Sequence, residues 1–125
     1  MSKEVRIYID KAERALVVAE SLLGDGFPAD AASKSYYAMF YAAQAVLRNE
    51  GIEVIKHSAV GAFFGHHFAK TGRLDPKYHK MLVDARALRE TADYSVEEEV
   101  SEAVARQTLA DGKEFVAVIK AFLAS

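Results

Sequence analysis

The stretch Ser33–Leu47, SKSYYAMFYAAQAVL, decides how this chain is read. It holds four aromatic rings, and its remaining positions are mostly alanine or serine. Tyr36 and Phe40 stand four residues apart, as do Tyr37 and Tyr41, so on a helix the rings form two adjacent ridges. Ser33, Ala38, Ala42 and Ala43 leave shallow faces between them. A helix that is apolar most of the way round is a central one, touched by several neighbours. Most of the rings are therefore expected in the core, and tyrosines whose hydroxyls stay free suit an interface, since each has an apolar body and a polar tip.

Outward from this segment the pattern stays helical. Val5, Ile9, Ala12, Leu16, Ala19 and Leu23 alternate in steps of three and four and form one stripe, closed by Gly24 and Gly26. The central helix is expected from Phe27 or Pro28 to Asn49, with Gly51 as a left-handed cap beyond it. A third, shorter helix is expected from an N-cap at Ser58 to about Ala69, with Gly61 and Gly65 one turn apart so that a neighbouring backbone can approach. Asp75 followed by Pro76 starts a fourth, whose buried stripe is Tyr78, Met81, Leu82, Ala85, Leu88 and Ala92. The last begins at Ser95, where Glu98 would complete a capping box, or at Ser101, and runs to about Phe122. Gly112 inside it costs about 1 kcal/mol relative to alanine. No period-two strand competes, so the expected fold is all-α, a five-helix up-and-down antiparallel bundle, with residues 1–125 as one domain.

Composition narrows the chemistry. The 125 residues include no cysteine, which excludes disulfides, a thiol nucleophile and cysteine-ligated metals. The charged N-terminus is not the apolar core of a signal peptide and no run is long enough to span a membrane, so a cytoplasmic home is expected. A net charge of −2 gives no global case for nucleic acid. The distribution is uneven: Val54 to Arg89 is basic and Glu90 to Glu114 strongly acidic. Glu-x-x-His, His-Glu-x-x-His, P-loop and Gly-x-Gly-x-x-Gly motifs are all missing, and His66 and His67, adjacent on a helix, point about 100° apart. No metal and no cofactor is expected.

With these residues in view, SKSYYAMFYAAQAVL resembles the second-helix signature of HEPN domains, Ser33, Tyr36, Tyr37, Phe40 and Ala43 occupying the signature positions. The similarity continues through KHSAV (56–60), FFGHHFAKTGRLD (63–75), LRETADY (88–94) and the closing FVAVIKAFL, and is nearest to the stand-alone prokaryotic branch. The resemblance implies a five-helix bundle that forms a homodimer and is commonly encoded beside a minimal nucleotidyltransferase as a toxin–antitoxin pair. Active members are metal-independent endoribonucleases whose motif is an arginine followed, a turn or more on, by a histidine, near the end of the penultimate long helix. Two such motifs meet across the dimer cleft.

The matching position here is Arg89, and five residues on stands Tyr94 in place of the histidine. With an ordinary pKa of about 10, tyrosine is a poor general base at neutral pH. That departure favours a binding module, in which Arg89, Arg86 and nearby tyrosines, Tyr37 and Tyr41 among them, meet RNA or nucleotide phosphates. The alternatives are an RNA endonuclease using Arg89 with Tyr94 or a histidine from another helix, and a purely structural interaction protein. Arg89 also has a structural option, an ion pair to Asp93 or to the acidic run Glu97–Glu99. His57, in KHS, suits a hydrogen bond at a helix start or an acid/base role. The pair Arg73 and His79 matches the motif spacing literally but sits at the wrong end of the fourth helix, as chance allows among seven arginines and four histidines.

Overall fold

The computed structural model describes residues 1–95 and 99–125. It is an all-α bundle of five helices: α1 (Lys3–Gly24), α2 (Pro28–Asn49), α3 (His57–Phe64), α4 (Pro76–Tyr94) and α5 (Glu102–Ala124). Among the described residues there is no strand, and no helix is long and apolar enough to cross a membrane.

Caps set most of the boundaries. The Ser2 hydroxyl accepts from the Val5 N–H, the Asp75 carboxylate from the Lys77 N–H, and the Ser101 hydroxyl from the Val104 N–H. Each satisfies an amide that the first turn leaves without a partner. Of the two starts expected for the last helix, Ser101 is the observed one; Glu98, the partner of the other, lies outside the described residues. Gly51 takes φ +78° just past α2, the left-handed geometry expected of it.

The third helix departs from expectation at both ends. It begins at His57 with Lys56 as the extended N-cap residue, so Ser58 already lies inside the first turn and does not cap. Its continuation, Gly65–Ala69, is a single wide turn closed by the Lys70 N–H on the Gly65 carbonyl at 2.8 Å. Phe64 and Phe68 both reach the core across this turn, their rings 5.6 Å apart. Gly61 and Gly65 admit no neighbouring backbone. At Gly65 the neighbour is the His79 imidazole, whose Nε2 would lie 2.6 Å from a β-carbon there, and Gly61 faces open space. The close helix–helix approach is at Gly112, where a β-carbon would meet Leu16 at 3.2 Å and the Ser35 carbonyl at 3.4 Å. This contact is what the bundle gains for a glycine inside α5.

α2 is the central helix, packed against α1, α3, α4 and α5, and 13 of its 22 residues are buried. α4 and α5 touch only lightly. Between them runs an open groove of about 470 Å3 with Met81, Leu88 and Val104 in its walls. For this reason Met81 and Leu88, expected in the buried stripe of α4, are half-buried; Ala92 is half-buried too, and of that stripe Tyr78, Leu82 and Ala85 alone are covered.

Candidate functional site

α2 and α4 bring the residues singled out by sequence to one place, and the short α3 adds another. Tyr36 is 1% exposed, and its hydroxyl lies 2.6 Å from Nδ1 of His57, the first residue of α3. Phe40, one turn along α2, stacks on the His57 ring with centroids 4.3 Å apart, and Tyr37 meets the same ring edge-on at 5.7 Å. From α4 the Arg89 guanidinium lies over Tyr37 at 5.5 Å and Tyr36 at 5.9 Å, and its Nε pairs with Asp93 at 3.1 Å. The ion pair to Asp93 expected as the structural option is thus formed, on a side chain only 14% exposed.

Arg86 lies one turn before Glu90 on the same helix. Its Nε is buried and makes no hydrogen bond, with the Glu90 carboxylate at 3.4 Å as its ionic neighbour. A buried N–H of a charged group without a hydrogen bond is costly. An anion oxygen arriving there would lower that cost. Beside it, Tyr36, His57, Ser58, His79 and Arg86 line a cavity of about 130 Å3.

The electrostatics fix the protonation of the central pair. Burial pushes the Tyr36 phenol up to about 12, so it keeps its proton at neutral pH. Nδ1 of His57 is the one hydrogen-bond partner of this phenol among the described residues, so the buried O–H is satisfied by donating there, to a neutral imidazole that carries its own proton on Nε2. Burial, and after it the Arg89 and Arg86 cations, hold the His57 imidazolium below its ordinary range. The site thus offers two guanidinium groups and a neutral N–H donor. The lone pair through which His57 would act as a base is already taken by Tyr36.

A pH dependence follows. In the unfolded chain His57 takes up its proton near pH 6.5; in the native chain it does so only at a lower pH. The stabilisation is fully present above about pH 6.5 and is lost as the pH falls through the lowered native value. Tyr36 acts at the other end, where stability declines as pH rises from 10.0 towards about 12. Tm measured from about pH 8 to about pH 5 should fall for the wild type and fall less for His57→Asn. Equal slopes would remove His57 as the source.

Of the other expected residues, His79 lines the cavity beside Arg86 and Tyr41 borders Tyr37 and Phe40, while the rest lie outside the ring cluster. Tyr94 is 74% exposed at the end of α4 and lies outside the ring cluster. Tyr41, half-buried, neighbours Tyr37 at 6.1 Å and carries Lys11 over its ring at 5.5 Å. Of the acidic run offered as a second partner for Arg89, Glu97 and Glu98 lie outside the described residues, and Glu99 is exposed. Arg73 is bound to Glu50 and covers the rings of Phe68 and Phe122, while His79 packs on Gly65. His67 stacks on Phe63, and among the described residues no three His, Cys, Asp or Glu side chains converge as metal ligands. Sequence reasoning missed Lys11 and Lys34, the latter 5.9 Å over Tyr37. Their only signal is that they are cations on the polar faces of α1 and α2 beside the two tyrosines.

Comparison with known proteins finds relatives over most of the length. Residues 5–122 match the model of the HEPN domain. A Methanocaldococcus jannaschii protein named "Putative toxin MJ0142" is 35% identical over 123 residues, spanning 98% of this chain and 84% of that protein. The "UPF0332 protein glr0978" of Gloeobacter violaceus is 34% identical over 125 residues, 99% of each chain. A UPF0332 protein of Pyrococcus horikoshii is 40% identical over 85 residues, 68% of this chain and 60% of its own. With a family model covering nearly the whole chain and relatives aligned along its length, this protein belongs to the HEPN domain family.

Proposed function

We propose that the chain is a single-domain, homodimeric HEPN binding module of the toxin–antitoxin type, paired with a minimal nucleotidyltransferase, whose Arg86–Arg89 site takes a phosphate of RNA or of a nucleotide. The observation that carries this reading is the convergence of both guanidinium groups on the Tyr36–Tyr37–His57 cluster. Guanidinium is suited to phosphate because its fork of N–H donors matches two phosphate oxygens at once. The names of two Methanocaldococcus jannaschii relatives as toxins support the toxin-type assignment. The pairing surface is the outward side of α4, where Val83 is 48% and Tyr94 74% exposed. Along the middle of α2, Ser33, Lys34, Tyr37 and Tyr41 form the one edge left uncovered.

A binding role is favoured over strand cleavage by two features: the half-buried histidine of the site is a neutral donor already engaged, and Tyr94, in the place of the motif's histidine, is exposed and joins none of the ring contacts among the described residues. The test uses labelled RNAs in chelator with the wild type, Arg89→Ala and Tyr94→His. The wild type should retain RNA without cutting it, and Arg89→Ala should bind roughly tenfold more weakly or worse, the loss of one charge-assisted hydrogen bond. Cleavage by the wild type that disappears in Arg89→Ala would overturn the reading in favour of a nuclease.

A further inference from the structure

The Arg86–Arg89 site does not end at α4. Tyr37, which carries Arg89 over its ring, also lines a shallow groove of about 230 Å3 between α1 and α2. Lys11, Arg14, Lys34, Tyr41 and Val18 complete its main walls, and no carboxylate lines it. Among the described residues Lys11, Arg14 and Lys34 form no ion pair, although Glu4, Glu13 and Glu20 on the same α1 helix are bound to Arg48, Lys120 and Lys113. Glu4, Glu13 and Glu20 are thus held by cations of α2 and α5, and Asp10 stands beside Arg14 at the border of the groove. Its cations instead lie over rings: Lys34 over Tyr37 at 5.9 Å, Lys11 over Tyr41 at 5.5 Å. The two rings stand 6.1 Å apart. Beyond Arg14 the surface becomes acidic at Asp10 and Glu13, which bounds the strip.

We infer that this groove is a track for single-stranded RNA, which continues from the phosphate site with bases on Tyr37 and Tyr41 and phosphates along Lys34, Lys11 and Arg14. The inference rests on the phosphate-binding reading of Arg86 and Arg89 and extends it from one phosphate to a strand. Cations that track a backbone beside rings that accept base faces are the elements of sequence-tolerant single-strand binding. A lone nucleotide has too few phosphates and one base, so it leaves the far cations and the second ring unused. A duplex keeps its base faces stacked inside and offers the rings nothing. The net negative charge of the chain is no obstacle, because the local band carries five cations, Arg86, Arg89, Lys34, Lys11 and Arg14, whatever the total.

The test is fluorescence anisotropy of the full chain with fluorescein-labelled oligouridines of about 4 and about 12 nucleotides, repeated over a salt series. The variants are Lys11→Ala/Lys34→Ala, Tyr41→Ala and Arg89→Ala, with circular dichroism to establish that each is folded. The longer strand should bind more tightly, and the double lysine variant should reduce the salt slope by about 0.7 for each cation removed. Tyr41→Ala should weaken binding about fivefold or more, as loss of a base-stacking ring does. Groove variants that bind like the wild type while Arg89→Ala loses affinity would overturn the track and leave the phosphate site standing. Loss in the groove variants with Arg89→Ala unaffected would remove the phosphate site and keep the groove. A duplex, or an acidic peptide such as polyglutamate, that competes as well as the strand would overturn the track, and no RNA binding by the wild type would overturn both.

Discussion

Tyr36→Ala should be the most destabilising single truncation at the site, costing about 3–5 kcal/mol as large-to-small changes of core aromatics do. The ring is buried at the point where α2, α3 and α4 meet, in contact with Tyr37, Phe40 and His57 and beneath the Arg89 guanidinium. Surrounding helices cannot close on the vacated volume without shifting Phe40, which the His57 ring stacks on. For a chain of this length the loss corresponds to a fall in Tm on the order of 10–20 °C. Tyr36→Phe separates packing from hydrogen bonding. It keeps the ring and removes only the donor to His57 Nδ1, so it should cost about 1–2 kcal/mol while burial and the two guanidinium groups still hold the imidazolium down. Thermal unfolding of the two variants side by side, with the His57 ring-proton shift followed against pH, reads both effects. A Tyr36→Ala protein that melts with the wild type would mean that the cluster is not part of the core.

Much of this arrangement is legible in the sequence because it is written in local rules. Asp75–Pro76 and Ser101 start helices by capping chemistry that involves neighbours three residues away or fewer, and the apolar character of Ser33–Leu47 round most of its circumference predicts the central position of α2. What escapes a reading along the chain depends on tertiary neighbours. Ser58 has the right side chain for a cap, but the chain enters the helix two residues earlier, because His57 must reach Tyr36 from the first turn. The wide turn at Gly65–Ala69 has no local code beyond the glycine, which leaves room for His79 from another helix. The half-exposure of Met81 and Leu88 follows from α4 and α5 lying apart, a property of neither helix alone. At the site, both SYY and KHS stand out as stretches, yet the bond between Tyr36 and His57 joins residues 21 apart and is set by the path of residues 50–56. Along the sequence nothing separates Lys11 and Lys34 from the chain's other lysines. Only their position over Tyr41 and Tyr37 makes them part of a surface.

Charge reversal at Arg89 carries the largest expected effect on binding. In Arg89→Glu the new carboxylate would stand one turn from Asp93 and beside Glu90, with Arg86 as the nearest remaining cation of the cluster. The guanidinium over Tyr36 and Tyr37 would be lost, and a negative group would face the electron-rich ring surfaces instead. Because the Arg89 side chain is mostly covered, solvent screens these terms only in part, and a stability cost of about 1–3 kcal/mol is expected. RNA affinity should fall on the order of a hundredfold, since a charge-assisted contact is replaced by repulsion of the phosphate. The same substitution has a readout that mere unfolding would not produce. Arg89 helps to hold the His57 imidazolium down, so in a folded Arg89→Glu protein the His57 titration should move up towards its ordinary range. Arg89→Lys distinguishes charge from shape: it keeps the cation but not the fork, and should recover the His57 titration while restoring only part of the affinity. Wild-type affinity in Arg89→Glu, with the His57 titration shifted as expected, would mean that the cation governs the protonation of the cluster but contacts no phosphate.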